Sequence, residues 1–280
     1  MTIRWSELGE CYQFDTGEML GTINPFGPYH GLSGLAHRSD PVNLVKPGAS
    51  FLNAEYYIRP GTERRMLPRR ISGERKTTHE LIRDSVVVRF PREPQYDLEL
   101  RLTYTMHADV IDMGITINPA KDVLGFEIFF ASYVCEALDE TWVPLLDDDG
   151  ARQWTKLCNR GTQNSIFGVM RDASMLGHLP AEYPDYPVEV ERRPYAEPIL
   201  AARDSTLGLC LVFMCDPGIT KYLAGQYHGW DTAHDWSFGA DLVAGRACNA
   251  RARLVCRRFT DAEQMCEQVD RLWGEFKAKE

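Results

Sequence analysis

Between Asp97 and Asn118 the chain alternates apolar and polar residues twice over, and that pattern constrains the fold more than any other stretch. Leu98, Leu100, Leu102, Tyr104 and Met106 alternate with Glu99, Arg101, Thr103, Thr105 and His107. A strand turns successive side chains to opposite faces, so this spacing lays one row on a core and leaves the other polar. After Ala108-Asp109, the residues Ile111, Met113, Ile115 and Ile117 repeat the pattern against Asp112, Gly114, Thr116 and Asn118. Two such runs across a tight connection predict a β-hairpin.

The rest of the chain points the same way. Ser85–Phe90 reads as a strand that stops at Pro91, and 125–134 as a central strand buried on both faces. Short apolar runs at 165–170 and 207–214 and alternation at 247–256 predict further strands. Residues 135–200 are rich in Asp, Pro and Gly and read as long loops. One helix is predicted, over 261–277. Thr260-Asp261-Ala262-Glu263 has the form of a capping box, and Met265, Val269, Leu272, Trp273 and Phe276 fall on one face behind it. No internal repeat or low-complexity linker divides the 280 residues, so a single β-sandwich domain over 1–280 is expected.

Composition excludes several function classes. The net charge is −9 and acidic and basic residues interleave, whereas a nucleic-acid partner requires a concentrated basic face. The nearest approach, Glu63-Arg64-Arg65 through Pro68-Arg69-Arg70, reads as a solvated edge or loop. No apolar stretch reaches the ~18 residues of a membrane span, and the N-terminus has no apolar signal region. Nucleic acid and membrane are therefore not expected partners, and the expected location is the cytoplasm. None of the eight cysteines forms a C-x-x-C pair. Reduced, mostly buried thiols are expected, with Cys210, Cys248 and Cys256 acting as small hydrophobes, and no metal or other cofactor.

The strand pair Leu98–Met106 and Ile111–Asn118, leading into Gly125-Phe126-Glu127-Ile128-Phe129-Phe130, resembles the central strands of galactose mutarotase-like (aldose 1-epimerase-like) proteins. Tyr29–His37 is similar to that family's early glycine- and histidine-bearing segment, and Gly239–Ala247 to its strand-loop-strand ending. The resemblance implies an all-β fold, a large antiparallel β-supersandwich with a C-terminal helix and a carbohydrate site on its concave face. It also implies mutarotase chemistry, in which one group takes the anomeric hydroxyl proton while another protonates the ring oxygen. Where the family carries a His-Pro-Tyr-Phe-like segment, this chain has Ala131-Ser132-Tyr133-Val134.

The residues themselves supply the candidates. Gln226–Trp236 holds two His, two Asp, two Trp and a Tyr, a set that stacks on and hydrogen-bonds a pyranose. Within it His228 is a candidate catalytic group, with Trp230 and Asp231 as binding groups. Read without a site, the same stretch is a structured surface loop. His37 is a second candidate acid–base residue and His30 a binding one, in a Gly-rich segment. Glu127 interrupts a buried run, which is costly for a carboxylate unless it is paired. In phase with Tyr133, it is a third catalytic candidate, or else one half of an ion pair with an arginine. Tyr57 and Arg59 share a strand phase and suit hydroxyl or carboxylate recognition. The expected ligand is a sugar or sugar derivative, handled by an epimerase-like isomerase. A non-catalytic carbohydrate-binding protein and a lyase or glycosidase on a similar scaffold are the alternatives. Oligomeric state is not legible in the sequence.

Overall fold

A computed structural model describes residues 1–27, 29–40, 42–58, 77–93, 97–159, 165–172, 188–228 and 231–278. Within these, the side chains of 56–58, 93, 158–159, 165, 188, 227–228 and 231 are not described. The described residues form nineteen strands and one helix. In chain order the strands begin with β1 (Thr2–Ser6), β2 (Cys11–Asp15), β3 (Met19–Asn24), β4 (Gly31–His37) and β5 (Asn53–Ile58). Then come β6 (Thr78–Ile82), β7 (Ser85–Glu93), β8 (Leu98–Met106), β9 (Val110–Pro119) and β10 (Val123–Tyr133). Next are β11 (Glu140–Leu146), β12 (Arg152–Asn159), β13 (Ser165–Met170), β14 (Val188–Glu191) and β15 (Ile199–Arg203). The last are β16 (Leu209–Cys215), β17 (Thr220–His228), β18 (Asp231–Leu242) and β19 (Cys248–Arg258), followed by helix α1 (Ala262–Lys277).

Three sheets result: β1-β2-β3-β4, the six-stranded β14-β13-β17-β18-β10-β5, and the nine-stranded β12-β11-β15-β16-β19-β9-β8-β7-β6. The alternating stretch forms the β8–β9 hairpin, in register from Leu98 opposite Pro119 to Met106 opposite Ile111. Its Leu98, Leu100, Leu102, Tyr104 and Met106 are all buried. That row meets Ile128, Phe130 and Trp236 of the six-stranded sheet and Tyr12, Met19 and Ile23 of the four-stranded sheet in one apolar cluster. Helix α1 lies on the outer face of β15, β16 and β19, packing Met265, Val269, Leu272, Trp273 and Phe276 on Ile199, Val212 and Val255. Cys210, Cys215 and Cys256 are buried, and burial pushes their thiols up, Cys256 to about 12. Cys248 is half-buried.

Three local expectations are corrected. Strand β7 runs through Pro91, because a bulge there removes the need for its missing N–H: Phe90 pairs with Leu100 and Glu93 with Leu98. Residues 135–200 contain β11 to β14 and the first residues of β15. Asp147–Gly150 is a tight turn, closed by the Gly150 N–H donating to Asp147 O with Gly150 at φ +80°. The strand it leads into, β12, is an edge strand with a polar, charged sequence, and that composition reads as loop.

The helix cap is one residue later than the capping-box pattern suggests. Asp261 is the N-cap and accepts from Gln264 N–H at 2.8 Å, while Gln264 Oε1 accepts from Thr260 N–H at 2.8 Å. Asp261→Ala is expected to cost about 1 kcal/mol, read as a fall in the urea midpoint. A Thr260→Val change should cost less, since its N–H remains.

Alternation divides the six-stranded sheet into two faces. Phe126, Ile128 and Phe130 of β10 join the inter-sheet core, as do Trp236 and Phe238 of β18. Glu127, Phe129, Ala131 and Tyr133 point the other way, with Ser237 and Asp235 beside them at Phe129 and Ala131. Two bulges add charge to this second face. In β5, Tyr56 pairs with Phe129 and Ala54 with Phe130, which leaves Glu55 as the extra residue. In β17, Thr220 pairs with Phe238 and Tyr222 with Ser237, which leaves Lys221 extra. A bulge re-aims the side chain it carries.

Candidate functional site

The second face of the six-stranded sheet carries the densest buried polar grouping among the described residues. Tyr133 donates its hydroxyl to Glu55 Oε1 at 2.7 Å, and Asn53 Nδ2 donates to the same oxygen at 3.4 Å. Asp235 accepts from Gln226 Nε2. The ring of Tyr29 stands edge-on to Tyr133, with centroids 5.5 Å apart. Burial pushes the Tyr133 hydroxyl far above the usual phenol range, and the carboxylates of Glu55 and Asp235 push it further. The phenol is therefore held as a hydrogen-bond donor at every physiological pH.

Register explains the shape. Tyr133, Ala233 and Gln226 lie across three neighbouring strands, and Ala131, Asp235 and Ala224 form the next row. Three alanines lie between the polar side chains, all fully buried; Ala131 and Ala224 pack with Phe129, Ile166, Met170 and Tyr222 in a small apolar cluster against which Tyr133 rests. Tyr133 and Gln226 are half-buried, whereas Asp235, Ser237 and Glu127 are fully buried, so the solvent-facing members of the group are at the Tyr133 end.

Farther along the same face, Glu127 is paired. Lys221 Nζ lies 2.6 Å from Glu127 Oε1, and Ser237 Oγ donates to Oε2 at 3.0 Å. Gly239, the register partner of Glu127, leaves the path for the lysine: an added Cβ would lie 2.0 Å from Lys221 Cε. The bulge at Lys221 thus supplies the cation that a buried carboxylate needs.

The other candidates separate. His30 is buried, and its Nε2 accepts from Ala54 N–H at 3.1 Å, satisfying a backbone donor on edge strand β5. Its ring packs on Phe90, and burial lowers its pKa to about 3. His37 ends β4 on the four-stranded sheet, where Nδ1 meets Ser39 Oγ at 2.7 Å; it does not share a sheet with Glu127. Tyr57 pairs with Ile128, one residue out of step with Glu127. His228 and Asp231 are register partners closing the β17–β18 hairpin, two positions along from Gln226 and Ala233. Arg59, Trp230 and the Glu63–Arg70 run lie outside the described residues.

The stretch 226–236 is a hairpin, so alternation splits its polar residues. Trp236 stacks on Phe130 in the core at 5.5 Å, and His234 sits beside it with Nε2 3.1 Å from Thr141 Oγ1. Sequence reasoning marked Gln226 and Asp235 only as members of the 226–236 stretch and did not mark Glu55, Asn53 or Lys221. Asp235 was reachable by phase, since it is four residues from Asp231 along one strand. Glu55 and Lys221 were not, because the bulges that expose them leave no mark in the pattern. Among the described residues, no group of three or more His, Cys, Asp or Glu is arranged to hold a metal ion.

By sequence, no family model and no curated protein matches the chain. By structure, it is similar to a galactose mutarotase-like protein from Lactobacillus casei (TM-score 0.56, 9% identity, 88% of this chain and 100% of that one). A galactose mutarotase related enzyme from Lactobacillus acidophilus gives a TM-score of 0.53 at 8% identity over 90% of this chain and 98% of that one. The α-N-acetylgalactosaminidase NagBb from Bifidobacterium bifidum gives 0.59 at 11% identity over 94% of this chain, which spans 38% of that protein. The fold is the galactose mutarotase-like β-supersandwich, an architecture found in these sugar-processing proteins. No helix among the described residues is long and apolar enough to cross a membrane.

Proposed function

We propose that the chain binds a sugar or sugar derivative over the second face of the six-stranded sheet and interconverts its anomers by proton transfer. The observation that carries this reading is the placing of two hydrogen-bonded pairs, Glu55–Tyr133 and Gln226–Asp235, side by side on one sheet face. In this reading the Asp235 carboxylate is the base for the anomeric hydroxyl, and Tyr133, Asn53 and Gln226 recognise the remaining hydroxyls. His228, on the same strand as Gln226 and two positions along, is the proposed proton donor to the ring oxygen.

Anomer exchange of hexoses and pentoses, followed by NMR exchange spectroscopy, tests this. Wild-type protein is expected to accelerate exchange of at least one sugar, and Asp235→Asn to slow it roughly a hundredfold with little change in KM. A second reading, binding without catalysis, is favoured by Ala131, which presents a methyl group on this face where the resembled family carries its histidine. Sugar-dependent thermal stabilisation with no exchange would establish that reading instead. No response to any sugar in either measurement would overturn both.

A further inference from the structure

A second groove lies on the four-stranded sheet. Its volume is about 550 Å³, within the range of small-molecule sites. Thr2, Arg4, Gln13, Asp15, Leu20, Thr22, Gly34 and Ala36 alternate onto one face of this sheet, and Asn43 closes the far side. Gly34 keeps the floor low, since an added Cβ would lie 2.8 Å from Thr22 Oγ1.

The hydrogen bonds within the walls fix what they present. Gln13 Oε1 accepts from Arg4 Nε–H at 3.2 Å, which leaves the Gln13 NH₂ and both Arg4 Nη groups outside this pair. Asn43 Oδ1 accepts from the N–H groups of Leu35 at 3.1 Å and Val45 at 3.2 Å, which leaves its NH₂ outward. The acceptors nearby are occupied. Asp15 takes Gly17 N–H on Oδ1 and Arg38 on Oδ2, and Thr22 Oγ1 is 3.0 Å from Ser33 Oγ. The groove therefore faces its contents with donors and a cation, Arg4, that pairs with no carboxylate among the described residues, over an apolar floor of Leu20 and Ala36.

We propose that this groove binds a ring compound bearing a carboxylate, such as a sugar acid, with the carboxylate on the Arg4 guanidinium and a ring hydroxyl on the Asn43 amide at the far side. Charge-assisted, forked pairing of guanidinium with carboxylate is the interaction that this donor set matches. The inference stands apart from the proposed anomer exchange, which uses a different sheet.

The test uses ¹⁵N-labelled protein titrated with D-galacturonate and with neutral D-galactose. Galacturonate is expected to shift the Gly21 and Gly34 amides, and to bind there roughly tenfold more tightly than galactose. Arg4→Gln should weaken it about tenfold. Asn43→Asp, which retains the acceptor for Leu35 and Val45 but replaces the donor with a negative charge, should weaken it at least as much. Unchanged affinity in both variants overturns the proposal. So does equal binding of galactose at these amides, or the absence of any shift there with galacturonate.

Discussion

Lowering the pH from 7 to about 4.5 is expected to remove roughly 5 kcal/mol of folding stability, before most carboxylates titrate. The cause is a pair of buried imidazoles. His30 and His234 are 1% and 0% exposed, and burial lowers each to about 3 from 6.5, with a backbone hydrogen bond at Gly27 opposing the shift for His30. Folded, both stay neutral down to about pH 3; unfolded, both take protons near 6.5. Between those values the unfolded chain binds more protons, so stability rises with pH. The contribution is complete above about 6.5 and is lost as pH falls toward 3. Each histidine supplies a slope of about 1.4 kcal/mol per pH unit, and the two together about 2.7. Set against a typical total of about 5–15 kcal/mol, that removes about a third or more of it by pH 4.5. Urea midpoints followed by tryptophan fluorescence from pH 8 to 4 measure it. His30→Gln, which retains an acceptor for Ala54 N–H, should halve the slope. A flat profile between pH 6.5 and 5 would show that the folded protein protonates these rings.

Lys221→Met is expected to destabilise by about 3–5 kcal/mol, since it removes the ammonium 2.6 Å from the fully buried Glu127 carboxylate. Adding Glu127→Gln should recover most of the loss, because a neutral amide still accepts from Ser237 and no longer needs a counter-charge. Gly239→Ala should reproduce part of the defect without touching either partner, as its methyl occupies the path of Lys221. Chemical denaturation of the three variants decides it. A cost under about 1 kcal/mol for Lys221→Met would mean that water reaches the carboxylate.

What the sequence disclosed follows from where periodicity survives. The β8–β9 hairpin and the stripe of α1 were legible because each keeps one period, with one face on the core. Glu127 was legible as an exception inside a buried run, and its phase with Tyr133 held; among the described residues Lys221 supplies an ion-pair partner. His30 was legible as a residue but not as a role, since the N–H it satisfies belongs to a strand more than twenty residues away. Strand β12 was hidden by its own edge position, which selects the polar composition of a loop. Glu55 and Lys221 were hidden because each owes its face to an extra residue opposite a partner strand, a relation that one chain segment does not encode alone.

Those two bulges also bear on how such a face diversifies. In a regular strand, changing what a sheet face presents requires a substitution at a position already pointing that way. An inserted residue works differently: it adds a side chain to one face while the flanking strand keeps its register with the core. Excising Glu55 would let Ala54 and Tyr56 close up and erase a carboxylate from the face, with Phe129 and Phe130 still paired to the same neighbours. A scaffold built this way exchanges chemistry through single-codon insertions and deletions. Relatives sharing its sandwich can then differ in their charged groups while their core rows stay aligned.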